Sequence, residues 1–322
     1  MDCKTIAEMY GLDGKKFQRQ YKKKISDFKT WEDRPHAEQW LIFPENITEE
    51  LSIDEVALSG GELYTVLTSK RARGRKGSLV AIIRGTKSET VIGHLLKIDR
   101  KLRLKVKEIT LDMAGSMKLI AKTCFPAAAQ VVDRFHVQKL ASEALQEIRI
   151  RHRWEAIEQE YKTIQEAKES GRTHSPELYS NGDTKKQLLA RSRHLLYKSP
   201  NNWTENQVER ARILFKLYPE LEQAYRLTNE LRTIYNQRIP KSLAMTRLAQ
   251  WFRHIEESGF KSFNILLKTF TVHYKEIINY FEKRSTNASA ESFNSKIKRF
   301  RANFRGVRDK TFFLFRLKNI FA

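Results

Sequence analysis

Residues 109–137 read ITLDMAGSMKLIAKTCFPAAAQVVDRFHV. One apolar run in this stretch ends at Asp112, a helix-forming segment follows, and a second apolar run ends at Asp133. Short runs rich in β-branched residues on either side of a helical segment are typical of a strand–helix–strand unit. Each aspartate then lies at the tip of a buried strand, where its carboxylate is available to bind a metal ion. The pattern alone leaves open which of the two does so.

Three more short apolar runs precede this unit and extend the predicted sheet. They are ELSIDEVAL at 50–58, ELYTVLT at 62–68 and SLVAIIRG at 78–85, with glycine-containing turns between them. Runs of this length separated by turns predict an antiparallel meander. The segment that follows them, KSETVIGHLLKIDRKL, reads as a helix. The resulting order βββαβαβ predicts an α/β fold with a mixed sheet and helices on its faces.

The strand pattern stops after residue 134, and a run of helical segments replaces it. One long amphipathic stretch there is predicted to bend or break at Pro219. The chain therefore divides into four predicted segments: a short basic helix-turn-helix-like segment at 1–45, the first part of the α/β core at 46–137, an α-helical insertion at 138–284, and a C-terminal helix with a basic tail at 285–322. The second helix of the first segment, KKFQRQYKKKISDF, either enters a DNA major groove or packs on the next domain.

The net charge and the cysteine content indicate what kind of partner the protein binds and which classes of protein are excluded. The 322 residues include 60 Lys and Arg against 38 Asp and Glu, which gives a net charge of +22. So basic a chain indicates a polyanionic partner, and nucleic acid is favoured over a membrane surface. No apolar run reaches the ~18 residues that a membrane span requires. The two cysteines, Cys3 and Cys124, lie far apart, which argues against a disulfide framework or a zinc ribbon and fits a reducing cytoplasm.

A further acid, Glu291, lies in the helical segment STNASAESFNSKIKRF at 285–300. Phosphoryl transfer on DNA can be promoted by two divalent cations about 3.5–4 Å apart, which carboxylates from different elements hold in place. Asp54 in the first of the three runs, an aspartate on a neighbouring parallel strand and Glu291 form such a set. Two alternatives stand beside it. Glu55 can replace Asp54, because strand alternation puts adjacent residues on opposite faces, and Glu291 can belong to a surface ion pair.

Basic side chains cluster in a predicted turn, SKRARGRKGS at 69–78, and around Glu291. The predicted DNA contacts in the turn are Lys70, Arg71, Arg73, Arg75 and Lys76, and those around Glu291 are Asn294, Lys296, Lys298, Arg299, Arg301, Arg305 and Arg308. Contacts of this kind to phosphates are mostly independent of base sequence and sensitive to salt. The alternative for the turn is a disordered basic loop.

Three tryptophans of the predicted insertion, Trp154, Trp203 and Trp251, have two interpretations. Each can stack on an unpaired base, or each can be a buried core residue. A tryptophan in a helical segment is more often a buried core residue than a base-stacking one.

Two motifs carry a family resemblance: FPAAAQVVDRFHV at 125–137 and NASAESFNSKIKRF at 287–300. Together with the βββαβαβ order and Asp54, they resemble DDE-type insertion-sequence transposases of the ISL-three group, in a branch whose DNA-binding N-terminus is encoded separately. The resemblance covers roughly residues 50–320. It implies a ribonuclease-H-like core, interrupted by an α-helical insertion before the last catalytic acid. It also implies a bacterial enzyme that cleaves phosphodiesters and transfers strands at insertion-sequence ends.

The resemblance assigns roles to individual residues. In a ribonuclease-H-like core the second acid ends the fourth strand, which selects Asp112. Asp54, Asp112 and Glu291 then bind two Mg²⁺ ions, for which Mn²⁺ can substitute. Asp133 and His136 match a D-x-x-H signature that supports the site, although Asp133 is the alternative second acid.

The resemblance also implies partners. These are double-stranded DNA of the transposon ends and the target, further copies of the chain in a transpososome, and a separate N-terminal DNA-binding polypeptide, but no membrane. Two competing hypotheses are a non-catalytic DNA-binding protein and a ribonuclease-H-like nuclease without strand transfer.

Overall fold

The apolar runs identified in the sequence form one mixed sheet. The computed structural model describes residues 3–58, 61–303 and 309–322, so Arg305 and Arg308 lie outside the described residues. The strands are β1 (Trp40–Ile42), β2 (Glu50–Ala57), β3 (Leu63–Ser69), β4 (Leu79–Arg84), β5 (Glu108–Leu111) and β6 (Ala129–Val132). Their order across the sheet is β1-β4-β3-β2-β5-β6.

Strand direction divides this sheet into two halves. Strands β2, β3 and β4 form the antiparallel meander, whereas β5 and β6 run parallel to β2. The predicted α/β fold with a mixed sheet is thereby confirmed, and it is compatible with the ribonuclease-H-like core that the resemblance implies. The short strand β1 adds an antiparallel edge beside β4 that the apolar pattern did not reveal.

The central strands are apolar because they are buried on both faces. All residues of β3 after Leu63 are buried, and so are all residues of β4 before Arg84. Strands covered on both sides read as continuous apolar runs rather than as alternating ones. The run SLVAIIRG, predicted as a strand of the meander, forms β4, which lies between β1 and β3.

The chain separates into two units. The first, called the core unit, comprises residues 1–133 and 285–322, and the second, called the helical unit, comprises residues 134–284. The core unit contains the sheet and the helices α1 (Cys3–Met9), α2 (Gly14–Gln20), α3 (Ser88–Leu95), α4 (Arg100–Leu104), α5 (Gly115–Cys124), α14 (Ala288–Asn303) and α15 (Lys310–Phe321).

An aromatic cluster joins the two ends of the chain inside the core unit. Phe28 and Trp31 pack against Phe315 of α15, with ring centroids 5.4 Å apart in both pairs. All three side chains are buried. The segment after α2 is therefore part of the hydrophobic core of this unit. By contrast, the basic helix α2 has no buried residue, so its function as a DNA-reading helix stays a prediction.

The helical unit, all of whose residues the structure describes, contains helices and connecting segments but no strand. Its helices are α6 (Arg134–Glu169), α7 (Lys185–Arg191), α8 (Arg193–Leu196), α9 (Glu205–Leu217), α10 (Pro219–Asn236), α11 (Lys241–Ser258), α12 (Lys261–Val272) and α13 (Tyr274–Lys283). Pro219 is the first residue of α10, a position where its missing N–H costs no helical hydrogen bond. None of the helices in the described ranges is both long and apolar enough to span a bilayer.

The three tryptophans of this unit have different environments. Trp251 is fully buried and its indole donates to the Leu227 carbonyl oxygen. Trp203 stacks on Tyr225 at a centroid distance of 5.4 Å. Trp154, in contrast, is 65% exposed, so it is the member of the three that is accessible to a base.

Candidate active site

Three aspartates lie level with one another on neighbouring parallel strands. In the observed register Ser52 of β2 pairs with Thr110 of β5, and two residues further on this register sets Asp54 opposite Asp112. Leu111 of β5 pairs with Val132 of β6, and one residue further on Asp112 lies opposite Asp133. We call Asp54, Asp112 and Asp133 the acid row. It lies at the carboxyl-terminal side of the parallel strands, a usual place for active sites in such sheets.

Helix α14 contacts one end of the acid row and approaches the other. Asn294 donates from Nδ2 to Asp54 Oδ2 at 2.8 Å. One turn earlier on the helix, a carboxylate oxygen of Glu291 lies within 4.8 Å of one of Asp133. Residues three apart share a helix face, so one face of α14 presents both side chains to the row.

The Asp54 carboxylate is held at both oxygens. Oδ2 accepts from Asn294, and Oδ1 accepts from the backbone N–H of Glu55 at 2.8 Å. Two neutral donors orient the carboxylate without neutralising its charge. An ionised carboxylate has about four lone-pair sites, so these two hydrogen bonds are compatible with a cation bound to the same group.

Glu55 is electrostatically part of the same site. Burial raises the pKa of its carboxyl, and the negative charges of Asp112 and Asp54 raise it further. Strand alternation predicted that only one of Asp54 and Glu55 contributes to the site, yet Glu55 is close enough to Asp112 for the charges to interact. A high density of negative charge of this kind favours a bound cation.

The other two aspartates of the row have distinct surroundings. Asp112 is half-buried, and its Oδ1 accepts from the Ala114 N–H at 2.9 Å just before α5 begins. Asp133 is 2% exposed. His136 is half-buried in the first turn of α6, in the helical unit. Within the described ranges, Asp54, Asp112 and Glu291 do not form a set whose ligand atoms all lie within 4.8 Å of one another.

Lys70 lies inside the core unit, although the sequence suggested a DNA contact. Its ammonium is 3.2 Å from Glu108 Oε1 and donates to the Thr110 hydroxyl. The Lys70 side chain is only 12% exposed. Burial lowers the Lys70 pKa, while the Glu108 carboxylate opposes that shift. Thr110 lies two residues before Asp112, so this ion pair is placed directly beneath the acid row.

The other basic residues of the predicted turn are exposed. We call residues 70–78, between β3 and β4, the basic loop; its exposed cations are Arg71, Arg73, Arg75 and Lys76. Lys296 of α14 donates to the carbonyl oxygen of Gly74 at 2.8 Å. Gly74 has a φ of +71°, and a Cβ there would lie 3.0 Å from Lys296 Nζ. Lys296 therefore attaches the basic loop to the helix that carries Glu291.

The Arg301 side chain also forms an ion pair inside the protein. Its guanidinium forms a two-pronged ion pair with Glu62, at 3.1 Å from Nε to Oε2 and 3.0 Å from the terminal nitrogen to Oε1. Arg301 is 8% exposed and Glu62 7%. Lys298 and Arg299 are exposed on α14. Of the predicted DNA-contacting cations, those at Arg71, Arg73, Arg75, Lys76, Lys298 and Arg299 are therefore exposed. Lys70 and Arg301, in contrast, form ion pairs inside the protein.

Sequence reasoning missed the residues that pair with these two cations. Glu108 lies in the apolar run VKEITLD, and a charged residue inside an otherwise buried strand was the available signal. Glu62 follows a turn, where a glutamate carries no such signal.

Comparison with known proteins places this geometry in a family. The family model for DDE transposases of the ISL-three group, described as a transposase, matches residues 51–317. The chain belongs to this transposase family. The match begins in β2 and ends in α15, so it includes the helical unit as well as the sheet. No curated protein and no solved structure matches the chain significantly.

Membership accounts for the basic charge of the chain. A transposase acts on DNA, and a net charge of +22 suits a polyanionic substrate. The motifs FPAAAQVVDRFHV and NASAESFNSKIKRF both fall within the matched residues. In this transposase they supply Asp133 and Glu291, whose carboxylates lie close together in the structure.

Proposed function

We propose that the chain catalyses divalent-metal-dependent cleavage and strand transfer at the ends of an insertion sequence. The observation that carries the proposal is the acid row together with Glu291, presented by three parallel strands and one helix of a transposase-family protein. A resolvase or a simple nuclease would share the carboxylates. The transposase family favours strand transfer over hydrolysis alone.

Asp54, Asp112 and Glu291 are the proposed ligands of two Mg²⁺ ions, and Mn²⁺ can replace them. The donor set fits, because carboxylate oxygens are the ligands that Mg²⁺ prefers and because Glu55, Asp112 and Asp54 concentrate negative charge. When bound, such ions activate the attacking oxygen and stabilise the leaving one. Asp133 and His136, the D-x-x-H signature, are proposed to support these ligands.

The residues of the chain orient the ligands and hold the DNA. The N–H of Glu55 and the amide of Asn294 fix the Asp54 carboxylate, and the N–H of Ala114 fixes that of Asp112. The exposed cations of the basic loop, with Lys298 and Arg299, are proposed to bind phosphates on either side of the scissile bond. These contacts carry charge but little sequence information.

Partners of this reaction are proposed on the same basis. Cutting and joining at two ends requires the ends to be brought together, for which self-association in a transpososome is proposed. Reading of the end sequence is assigned to the basic helix α2 or to a separate DNA-binding polypeptide. Because such a DNA substrate lies in the nucleoid, we propose that the protein acts there, in the bacterial cytoplasm.

The decisive experiment follows strand cleavage and strand transfer on labelled duplexes that carry the ends of the element, with Mg²⁺ or with EDTA. Wild type is expected to yield both products with Mg²⁺ only. Asp54→Asn and Glu291→Gln are expected to remove both products while the affinity for the duplex stays within a few-fold. Cleavage without transfer would favour a nuclease. Binding without any cleavage, in every metal tested, would favour a non-catalytic DNA-binding protein.

A further inference from the structure

We infer that Asn294 is a positioning residue for Asp54, and that its amide links the acid row to the bound cation. The inference rests on the proposed function, because it concerns the proposed metal site. An ionised carboxylate only accepts hydrogen bonds. The 2.8 Å contact to Asp54 Oδ2 therefore requires Asn294 to present Nδ2.

The other end of the same amide has no partner. Asn294 is 6% exposed, and its Oδ1 is buried without a hydrogen-bond partner among the described residues. A buried carbonyl oxygen left unpaired destabilises the protein, because it loses its hydrogen bonds to water without replacing them. Such a cost is offset when a ligand of the site supplies the missing contact, and an amide oxygen is a suitable donor to Mg²⁺ or to its waters.

A second buried amide lies on the same side of this helix. Asn287, which directly precedes α14, and Glu291, Asn294 and Lys298 follow at intervals of four, three and four residues, which aligns them on one side. Asn287 is fully buried, and neither its Oδ1 nor its Nδ2 has a partner among the described residues. Two side-chain amides with buried polar atoms that have no partner among the described residues thus flank the proposed ligand Glu291, and we infer that this face lines a ligand site.

Asn294 donates to a carboxylate of the acid row that lies 240 positions earlier in the chain. It docks α14 on β2 at the carboxylate itself, so the distance between Glu291 and Asp54 depends on it. Partners that orient a metal ligand typically change metal affinity or activity by about 10–100-fold when removed. A similar loss is expected here, with the fold intact.

The test measures Mn²⁺ binding to the full chain without DNA, by titration calorimetry. The variants are Asn294→Ala, Asn294→Gln, which keeps the amide, and Asp54→Asn as the ligand reference. Ser292→Ala, at an exposed position of the same helix, is the control. Asn294→Ala is expected to bind Mn²⁺ about 10–100-fold more weakly, Asn294→Gln in between, and Ser292→Ala like wild type. Thermal unfolding without metal is expected to be similar for all of them.

Cleavage at rising Mn²⁺ supplies a second measurement, on Asn294→Gln if Asn294→Ala does not fold. The rate of the Asn294 variant is expected to recover at high Mn²⁺, whereas that of Asp54→Asn is not. Wild-type Mn²⁺ affinity in the Asn294 variants, beside a loss in Asp54→Asn, would overturn the inference and leave the proposed function standing. Wild-type affinity in Asp54→Asn as well would remove the proposed metal site, and the inference with it.

Discussion

A carboxylate oxygen of Glu291 lies within 4.8 Å of one of Asp133, although Asp112 and not Asp133 is the proposed metal ligand. Two carboxylates at this separation repel each other unless a cation or a proton lies between them. Asp133 is almost fully buried, whereas Asp112 is half-buried. The two aspartates therefore differ in their burial, and substitutions can distinguish their roles.

We predict that Asp112→Asn lowers the Mg²⁺-dependent cleavage rate by more than about 100-fold and that Asp133→Asn lowers it by about 10–100-fold, since Asp133 is proposed to support the metal ligands rather than to be one of them. Raised Mn²⁺ is expected to restore part of the activity of Asp133→Asn only. Rates on an end-containing duplex, at matched protein concentration, provide the measurement. An active Asp112→Asn beside an inactive Asp133→Asn would make Asp133 the second metal ligand.

The hydrogen bond from Lys296 to Gly74 predicts that helix α14 influences DNA affinity through the basic loop. Lys296→Met removes a charge and also releases the basic loop, while the control Lys298→Met removes the same charge from an exposed position. Every phosphate that the protein no longer neutralises makes the slope of log K against log salt shallower by about 0.9. Lys298→Met is expected to make this slope shallower by about 0.9, which corresponds to one lost phosphate contact. Lys296→Met is expected to change the slope by more. Equal slopes for the two variants would show that Lys296 does not organise the loop.

The buried pair of Glu62 and Arg301 predicts a stability effect without a DNA effect. Arg301→Met leaves the Glu62 carboxylate buried, with Lys310 at 3.4 Å as a remaining partner. Breaking a buried ion pair costs about 3–5 kcal/mol, and Lys310 is expected to keep the loss near the lower end. The double variant Glu62→Gln/Arg301→Met should recover part of it. Urea unfolding provides the free energies, with exposed Arg299→Met as a control within about 0.5 kcal/mol of wild type.

Stability of the helical unit is predicted to depend on pH through Asp183. Burial by itself raises the pKa of this carboxyl, but hydrogen bonds from Arg210 and Arg191 outweigh it, so the pKa is lowered overall. The Nε of Arg210 is 2.8 Å from Asp183 Oδ2. A lowered pKa in the folded state contributes stability that is present above the unfolded pKa of about 3.9 and is lost as the pH falls through the folded pKa.

Asp183→Asn is therefore expected to lower the free energy of unfolding by about 1.5–3 kcal/mol at pH 7, and the difference from wild type should shrink in acid below about pH 4. Thermal melts between pH 3 and 7 follow the difference. Glu209→Gln, which affects the surface pair with Arg212, is the control and should have a much smaller effect. A difference for Asp183→Asn that is constant with pH would exclude the charge as its cause.

Much of the fold followed from short-range patterns. The short runs that contain or end at Asp54, Asp112 and Asp133 predicted strands, because they are rich in apolar and β-branched residues and are bounded by turns or a helical segment. Pro219 predicted a helix boundary because proline lacks the N–H that a helix interior needs. The resemblance of two motifs then indicated the transposase family, which the family match bears out.

The sequence by itself determined the order of strands β2 to β6 along the chain, the helical segment between β6 and Glu291, and the basic charge, since all three depend on residue type and local spacing. The tertiary structure decided which charges serve the site and which serve the fold. Lys70 and Arg301 look like their basic neighbours in the sequence, yet each is buried against a glutamate that lies far away in the chain. The contact of Asn294 with Asp54 and the approach of Glu291 to Asp133 arise in the same way. Docking of α14 on the sheet creates them, and no local pattern records which distant residues a helix face will meet.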